Sequence, residues 1–225
     1  MSDMELAADL VERMRGGDPQ ALADVFSHFR QRLARIVQFR LDYRLTARVS
    51  DSDVLQETYL AAADRLDHFG KHPEMSPFLW LRLLVSQQLI DLHRRHLKTE
   101  MRDVRKEISL QQDVSPHTSL ALAAQLAGPL TAVTEIVARA ERIDRLEKTL
   151  NEMDDLDREV IALRHFEELS NIETAKVLGI APSAASKRYL RAMTRLSDLM
   201  KRFRSEMDSI ARNSGTSIDR TGKDQ

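Results

Sequence analysis

The sequence predicts an all-α protein of two small helical domains joined by a flexible linker, the C-terminal domain being a helix-turn-helix. Three observations carry that prediction. Glycine and proline number only 7 and 6 in 225 residues, too few for the turns of a β-rich or nucleotide-binding α/β fold. Apolar residues recur at helical spacing, and strand-like alternation is hard to find. Helix-start signals punctuate the chain at Asp18-Pro19, Ser50-Asp51-Ser52-Asp53, Ser76-Pro77 and Ser170.

The first domain is expected over residues 1–97. Asp18 is an N-cap and Pro19 stands at the first helical position. Leu22, Val25, Phe26, Phe29, Leu33, Ile36 and Val37 then define one apolar face. The serine and aspartate cluster at 50–53 opens a helix to about Leu66. A loop from Phe69 to Met75 leads to Ser76-Pro77, which starts a long helix to about His96 with Phe78, Leu81, Val85, Leu89 and Leu92 on its core side. Trp80 is read as core.

Residues 98–140 are expected to be a linker, partly helical at best. Mixed charge gives way there to Gln111-Gln112-Asp113-Val114-Ser115-Pro116 and an alanine-rich stretch ending in Gly128-Pro129. The second domain is expected over 141–204, with Ile143, Leu146, Leu150 and Met153 along one stripe. Residues 205–225 carry little apolar content and are expected to be a disordered tail.

Composition excludes several classes. The chain is 42% hydrophobic, enough for a core, and 31% charged. No run approaches the ~18 apolar residues of a spanning helix, and the acidic start Met1-Ser2-Asp3-Met4-Glu5 lacks a signal-peptide core. No membrane insertion and a cytoplasmic location are therefore expected. Without cysteine there is no disulfide, thiolate metal site or cysteine nucleophile. No H-E-x-x-H or E-x-x-H pattern occurs, His93 and His96 form a bare pair read as surface residues, and no serine has a positioned base. An enzyme is not expected, and no metal or cofactor is implied.

The net charge of −1 hides a local imbalance. Between Asn171 and Arg204, eight lysines and arginines face two acids, Glu173 and Asp198. Ser170 caps a short helix, Gly179-Ile180 makes a tight turn, and Pro182 opens a longer helix, the order of a helix-turn-helix. Ala185, Tyr189, Ala192, Met193 and Leu196 face inward on that second helix. Lys187, Arg188, Arg191 and Arg195 face outward and, with Ser183 near the helix start, are the candidate DNA contacts. A solvated basic helix is the alternative.

In the first domain, Asp53, Gln56 and Glu57 share one helix face opposite Val54, Leu55 and Tyr59. Spacing alone reads them as a cap and a solvated face; an acidic docking surface is the functional alternative. The long helix carries Gln87, Asp91, Arg94 and Lys98 in a row, with Arg95 adjacent, a stripe suited to a nucleic-acid backbone.

Together these segments resemble the extracytoplasmic-function sigma factors of bacterial RNA polymerase. Gly17-Asp18-Pro19-Gln20-Ala21-Leu22 resembles the opening helix of that family, and Asp53 to Leu60 its D-x-x-Q-[DE]-x-[FY]-L segment. Trp80-Leu81 with Ile90-Asp91-Leu92-His93-Arg94-Arg95 is similar to its W-L…I-D-x-x-R-R helix. Leu156 to Phe166, followed by the helix-turn-helix, resembles its minus-thirty-five reader. Gln87 replaces the usual asparagine, Thr174 an apolar residue, Ala181 a serine cap, and Ala184-Ala185 a Thr-Val pair.

The resemblance implies a sigma factor that binds core RNA polymerase through Asp53, Gln56 and Glu57. It implies minus-ten DNA contacts from Gln87, Arg94, Arg95 and Lys98, and a specificity loop between Phe69 and Pro77. Ser183, Lys187, Arg188, Arg191 and Arg195 would meet upstream promoter DNA, and an anti-sigma factor is a further implied partner. A helix-turn-helix regulator with an N-terminal helical sensory domain is the rival reading, but it leaves the first-domain segments without a role.

Overall fold

A computed structural model describes residues 7–42, 44–96, 118–128 and 136–215, with the side chains of the last helix described through residue 209. Helix α1 (Ala8–Arg15) is short, with Met14 fully buried. Asp18 caps α2 (Pro19–Arg40) by accepting from the backbone N–H of Gln20 at 2.8 Å and of Ala21 at 3.3 Å. Helix α3 (Asp51–Asp64) opens with a reciprocal capping box between Ser50 and Asp53. Helix α4 (Leu66–Gly70) turns the chain toward α5 (Pro77–His96). Phe26, Phe29, Leu33, Val54, Phe78 and Leu81 meet between α2, α3 and α5 and form the core of this half.

The C-terminal half comprises α7 (Ile136–Leu150), α8 (Asp155–Ile161), α9 (Asn171–Leu178) and α10 (Pro182–Gly215). Ile143, Leu146, Val160, Leu178, Ala192 and Leu196 close its core. A π turn over Ala162–Phe166 prolongs α8, with the Glu167 N–H donating to the Ala162 carbonyl at 2.9 Å. Glu168 then takes a left-handed φ of 55°, a conformation that costs a non-glycine residue about 1–2 kcal/mol. The wide turn and this reversal direct the neighbouring side chains oppositely, Glu167 into the interior and Glu168 to the surface.

Three expectations are corrected here. Residues 118–126, assigned to the linker, form α6 (Thr118–Leu126), whose residues Thr118–Ala123 are all buried against neighbours that include α2, α7 and α8. Its small alanines let it sit close to other helices, and a hydrophobic segment of that kind orders once surfaces exist to cover it. The chain from 205 to 215, assigned to the tail, continues α10, and Met207 packs back on α7 by accepting from Arg145. Third, the two halves are not held by a tether alone. They touch directly, with the Phe39 and Phe166 rings stacked at 4.8 Å between centroids.

Charge dominates that contact. Arg40 donates to Glu159 Oε1 at 2.6 Å and to Glu167 Oε1 at 2.5 Å. Arg82 donates to Glu167 Oε2 at 2.7 Å. Thr118 donates to Glu159 Oε2 at 2.6 Å and also accepts from Arg40 at 3.1 Å, tying α6 into the cluster. All five residues are buried, Glu159 completely. Burial pushes the Glu167 carboxyl up, but Arg40 and Arg82 outweigh it and hold it down to about 2. Burial likewise disfavours the charged Arg40, and Glu159 and Glu167 reverse that and raise its pKa. Around this centre, Arg32 donates to Glu173 at 3.2 Å and Arg35 to Glu168 at 3.0 Å.

Candidate polymerase and nucleic-acid interfaces

The start of α3 places Asp53, Gln56, Glu57 and Leu60 on one exposed face, above the buried Val54, Leu55 and Thr58. The Asp53 carboxylate accepts from the Ser50 N–H at 2.9 Å and the Ser50 hydroxyl at 2.8 Å, which lowers its pKa. Asp53 therefore serves the helix start whatever else it binds. Gln56 and Glu57 are exposed and have no hydrogen-bond or ion-pair partner among the described residues. Leu60, the last residue of the 53–60 segment, is half exposed beside them and adds apolar area to the same face.

Between α4 and α5 the chain is clamped by Arg15. Its guanidinium donates to the carbonyls of His72 at 3.0 Å and of Pro73 and Met75, both at 2.9 Å, and lies 4.7 Å from the centre of the Phe69 ring. A Cβ at Gly70 would stand 2.4 Å from the Arg15 carbonyl oxygen, so that close approach requires glycine. Trp80 is buried against Phe69, as expected of a core residue.

On α5, Gln87 is half-buried and accepts from Arg65 at 2.7 Å. Arg94 is exposed, at 4.0 Å from Asp91, and Arg95 is exposed and donates to the Asp91 carbonyl at 3.3 Å. Lys98 lies outside the described residues. His93, expected at the surface, is buried; its Nε2 accepts from the Asp42 N–H at 3.4 Å, joining α5 to the end of α2.

The helix-turn-helix forms as its sequence signals require. Ser170 and Glu173 make a capping box at the start of α9, and Gly179 ends it with φ 64°. Asn171 donates to the Pro182 carbonyl at 2.8 Å and locks the entry to α10. Ser183, Lys187, Arg191 and Arg195 are exposed along α10, with Leu190 among them. Arg188 differs from the others. It pairs with Asp154 at 3.1 Å and Asp157 at 2.7 Å, so its charge is already matched by the start of α8. Arg195 donates to the Glu152 carbonyl at 3.0 Å. Thr174, at the position where an apolar residue is usual, is buried, and its hydroxyl has no partner among the described residues.

The C-terminal half is thus a capped helix-turn-helix with a cationic outer face, and the N-terminal half exposes Gln56 and Glu57 on α3, an arrangement of the kind found in transcription proteins. The family assignment is more specific. A family model described as ECF sigma factor matches residues 4–202, and the chain belongs to that family. It is similar to the RNA polymerase sigma factor NccH of Alcaligenes xylosoxydans xylosoxydans, 28% identical over 89% of this chain and 98% of that protein. CnrH of Cupriavidus metallidurans is 31% identical over 66% of this chain and 72% of its own length. SigW of Bacillus subtilis is 22% identical over 80% of this chain and 89% of its own. A solved structure of CnrH in complex with the cytosolic domain of CnrY covers 85% of this chain and 95% of that one, with 24% identity and a TM-score of 0.49.

The chain is thus a sigma factor that binds RNA polymerase and directs promoter-specific transcription initiation; it is not an enzyme. Among the described residues, no helix is long and apolar enough to cross a membrane.

Proposed function

We propose the following division of labour. Residues 1–97 bind polymerase and the minus-ten element, 98–140 connect, and 141–204 bind the minus-thirty-five element. Asp53, Gln56 and Glu57 dock on core polymerase, with Leu60 supplying apolar area. The Arg15-clamped loop and the stripe of Gln87, Arg94, Arg95 and Lys98 meet melted minus-ten DNA, where holding an unstacked base offsets lost pairing. Ser183 and Lys187 reach base edges at the upstream site, Arg191 and Arg195 meet phosphates, and Arg188 joins them by leaving Asp154 and Asp157. The protein acts in the cytoplasm. An anti-sigma factor is a further candidate partner, since the relative CnrH is solved with CnrY.

The observation that carries the docking assignment is the exposed α3 face, where Gln56 and Glu57 have no partner among the described residues. Run-off transcription with purified core polymerase tests it. Glu57→Ala is expected to lower promoter-specific transcript and to require more protein for half-maximal yield. Unchanged yield and unchanged core binding would move the docking surface elsewhere.

A further inference from the structure

We propose that Asp154 and Asp157, at the start of α8, set the sequence selectivity of the DNA-reading helix: they withhold Arg188 from phosphates and release it only to a guanine edge. The proposal rests on the reading above that α10 meets upstream promoter DNA. A register in α10 carries it. Arg188, Arg195 and Arg202 recur every seven residues, about two helical turns, and so form one stripe. The segment 152–157 engages that whole stripe. Arg188 pairs with Asp154 at 3.1 Å and Asp157 at 2.7 Å, Arg195 donates to the Glu152 carbonyl at 3.0 Å, and Arg202 pairs with the Glu152 carboxylate at 2.6 Å. Lys187 and Arg191, off the stripe, have no partner among the described residues.

The acidic turn is fixed in place. Arg158 donates to the carbonyls of Leu150 at 3.1 Å and Met153 at 2.5 Å and pairs with Asp155, bracing the turn from within α8. Asp154 is the N-cap of α8 and accepts from the Leu156 N–H at 3.0 Å. The two carboxylates therefore cannot follow Arg188 when it moves to DNA. The Asp157 side chain is only 15% exposed and that of Arg188 28%, so salt screens their contact less than it screens a surface pair.

Release then depends on the acceptor that DNA offers. A phosphate replaces one anion by another, and that exchange gains little. It also brings negative charge toward Asp154, which is 58% exposed and repels it. Guanine differs, because its O6 and N7 accept two parallel N–H bonds from one guanidinium and carry no net charge. In the free chain both carboxylates hold Nη1 of Arg188, while Nε and Nη2 make no hydrogen bond among the described residues. Those two groups are the parallel donor pair a guanine edge requires, so recognition begins before the carboxylates let go. Arg188 stands in the second turn of α10, within reach of base edges for a helix that enters the major groove by its N-terminus. Selectivity of this kind comes from weakening the wrong complex.

The test uses holoenzyme assembled from core polymerase and the full-length chain. Wild-type holoenzyme selects duplexes from a genomic promoter it transcribes, randomised over the minus-thirty-five region. Mobility shifts then compare the selected duplex with one whose upstream region is scrambled, across several salt concentrations. Asp154→Asn/Asp157→Asn removes both charges but keeps the side-chain sizes and the cap of α8, since asparagine caps as well as aspartate. It is expected to tighten binding to the scrambled duplex about tenfold and to the selected duplex by less than about threefold, and to steepen the salt dependence on the scrambled duplex by about one unit of slope. Adding Arg188→Ala should abolish these gains. Arg188→Ala alone leaves the acidic turn intact and should weaken the selected duplex at least about fivefold, with the preference for one guanine lost and the scrambled duplex little changed. Equal tightening of both duplexes, no tightening, gains that survive Arg188→Ala, or equal losses from Arg188→Ala alone would each overturn the proposal and leave DNA reading by α10 intact. Failure of the wild-type holoenzyme to select any upstream sequence would overturn that reading and the proposal with it.

Discussion

The acidic face of α3 and the acidic face built by α8, its π turn and α9 carry the same kind of charge in opposite surroundings. Among the described residues, Gln56 and Glu57 on α3 stand exposed with no side-chain partner, and Asp53 is bonded to its own helix start. On the C-terminal half, Glu159 and Glu167 are buried and share Arg40 between them, with Arg82 on the outer oxygen of Glu167. The difference teaches where electrostatic energy is stored. Exposed charge is cheap to change and is spent on a partner, whereas buried charge is costly to change because its partner would be left in low dielectric.

The largest expected effect breaks the buried side of the comparison. Glu167→Ala leaves Arg40 and Arg82 without their shared carboxylate and should destabilise the full-length protein by about 3–5 kcal/mol, read from urea unfolding. Acid sharpens the same point. The folded Glu167 pKa is lowered from the ordinary 4.5 to about 2, so its stabilisation is fully present above about pH 4.5 and is lost as pH falls through about 2. Fluorescence of the single Trp80 during acid titration should show that limb, and Glu167→Gln should flatten it.

On the exposed side, Asp53→Ala and Glu57→Ala should separate two roles. Asp53→Ala removes half of a capping box and should cost about 1 kcal/mol of stability, while Glu57→Ala should cost almost none. Both should weaken core binding in a pull-down titration, and Glu57→Ala isolates the docking term.

The smallest effect concerns DNA. Arg191→Ala should reduce the salt dependence of mobility-shift binding by about one unit of slope. Arg188→Ala should reduce it by less, because Asp154 and Asp157 already balance that charge. Equal losses would mean that Arg188 is released whenever DNA is bound.

Much of this was legible in the chain. The caps at Asp18, Ser50 and Ser170, the glycine turn at Gly179 and the apolar stripes of α2 and α5 are local signals, each requiring only neighbours within a few residues. Local too were the outward faces of α3 and α10. The burial of α6 and His93 was not legible, because an alanine-rich segment or a histidine takes its state from whatever surface arrives to cover it. Arg40 and Arg82 left a faint trace, since Arg82 interrupts the apolar run of Phe78, Leu81 and Val85 on a core-facing side.

The sequence by itself therefore determined the starts of α2, α3, α5, α9 and α10 and the outward faces of α3 and α10, because periodicity and capping act over one or two turns. Only the tertiary structure decided that Arg40 and Arg82 meet Glu159 and Glu167, residues far apart along the chain. A charge says nothing about its partner until folding brings the two together and excludes the water that would otherwise screen them.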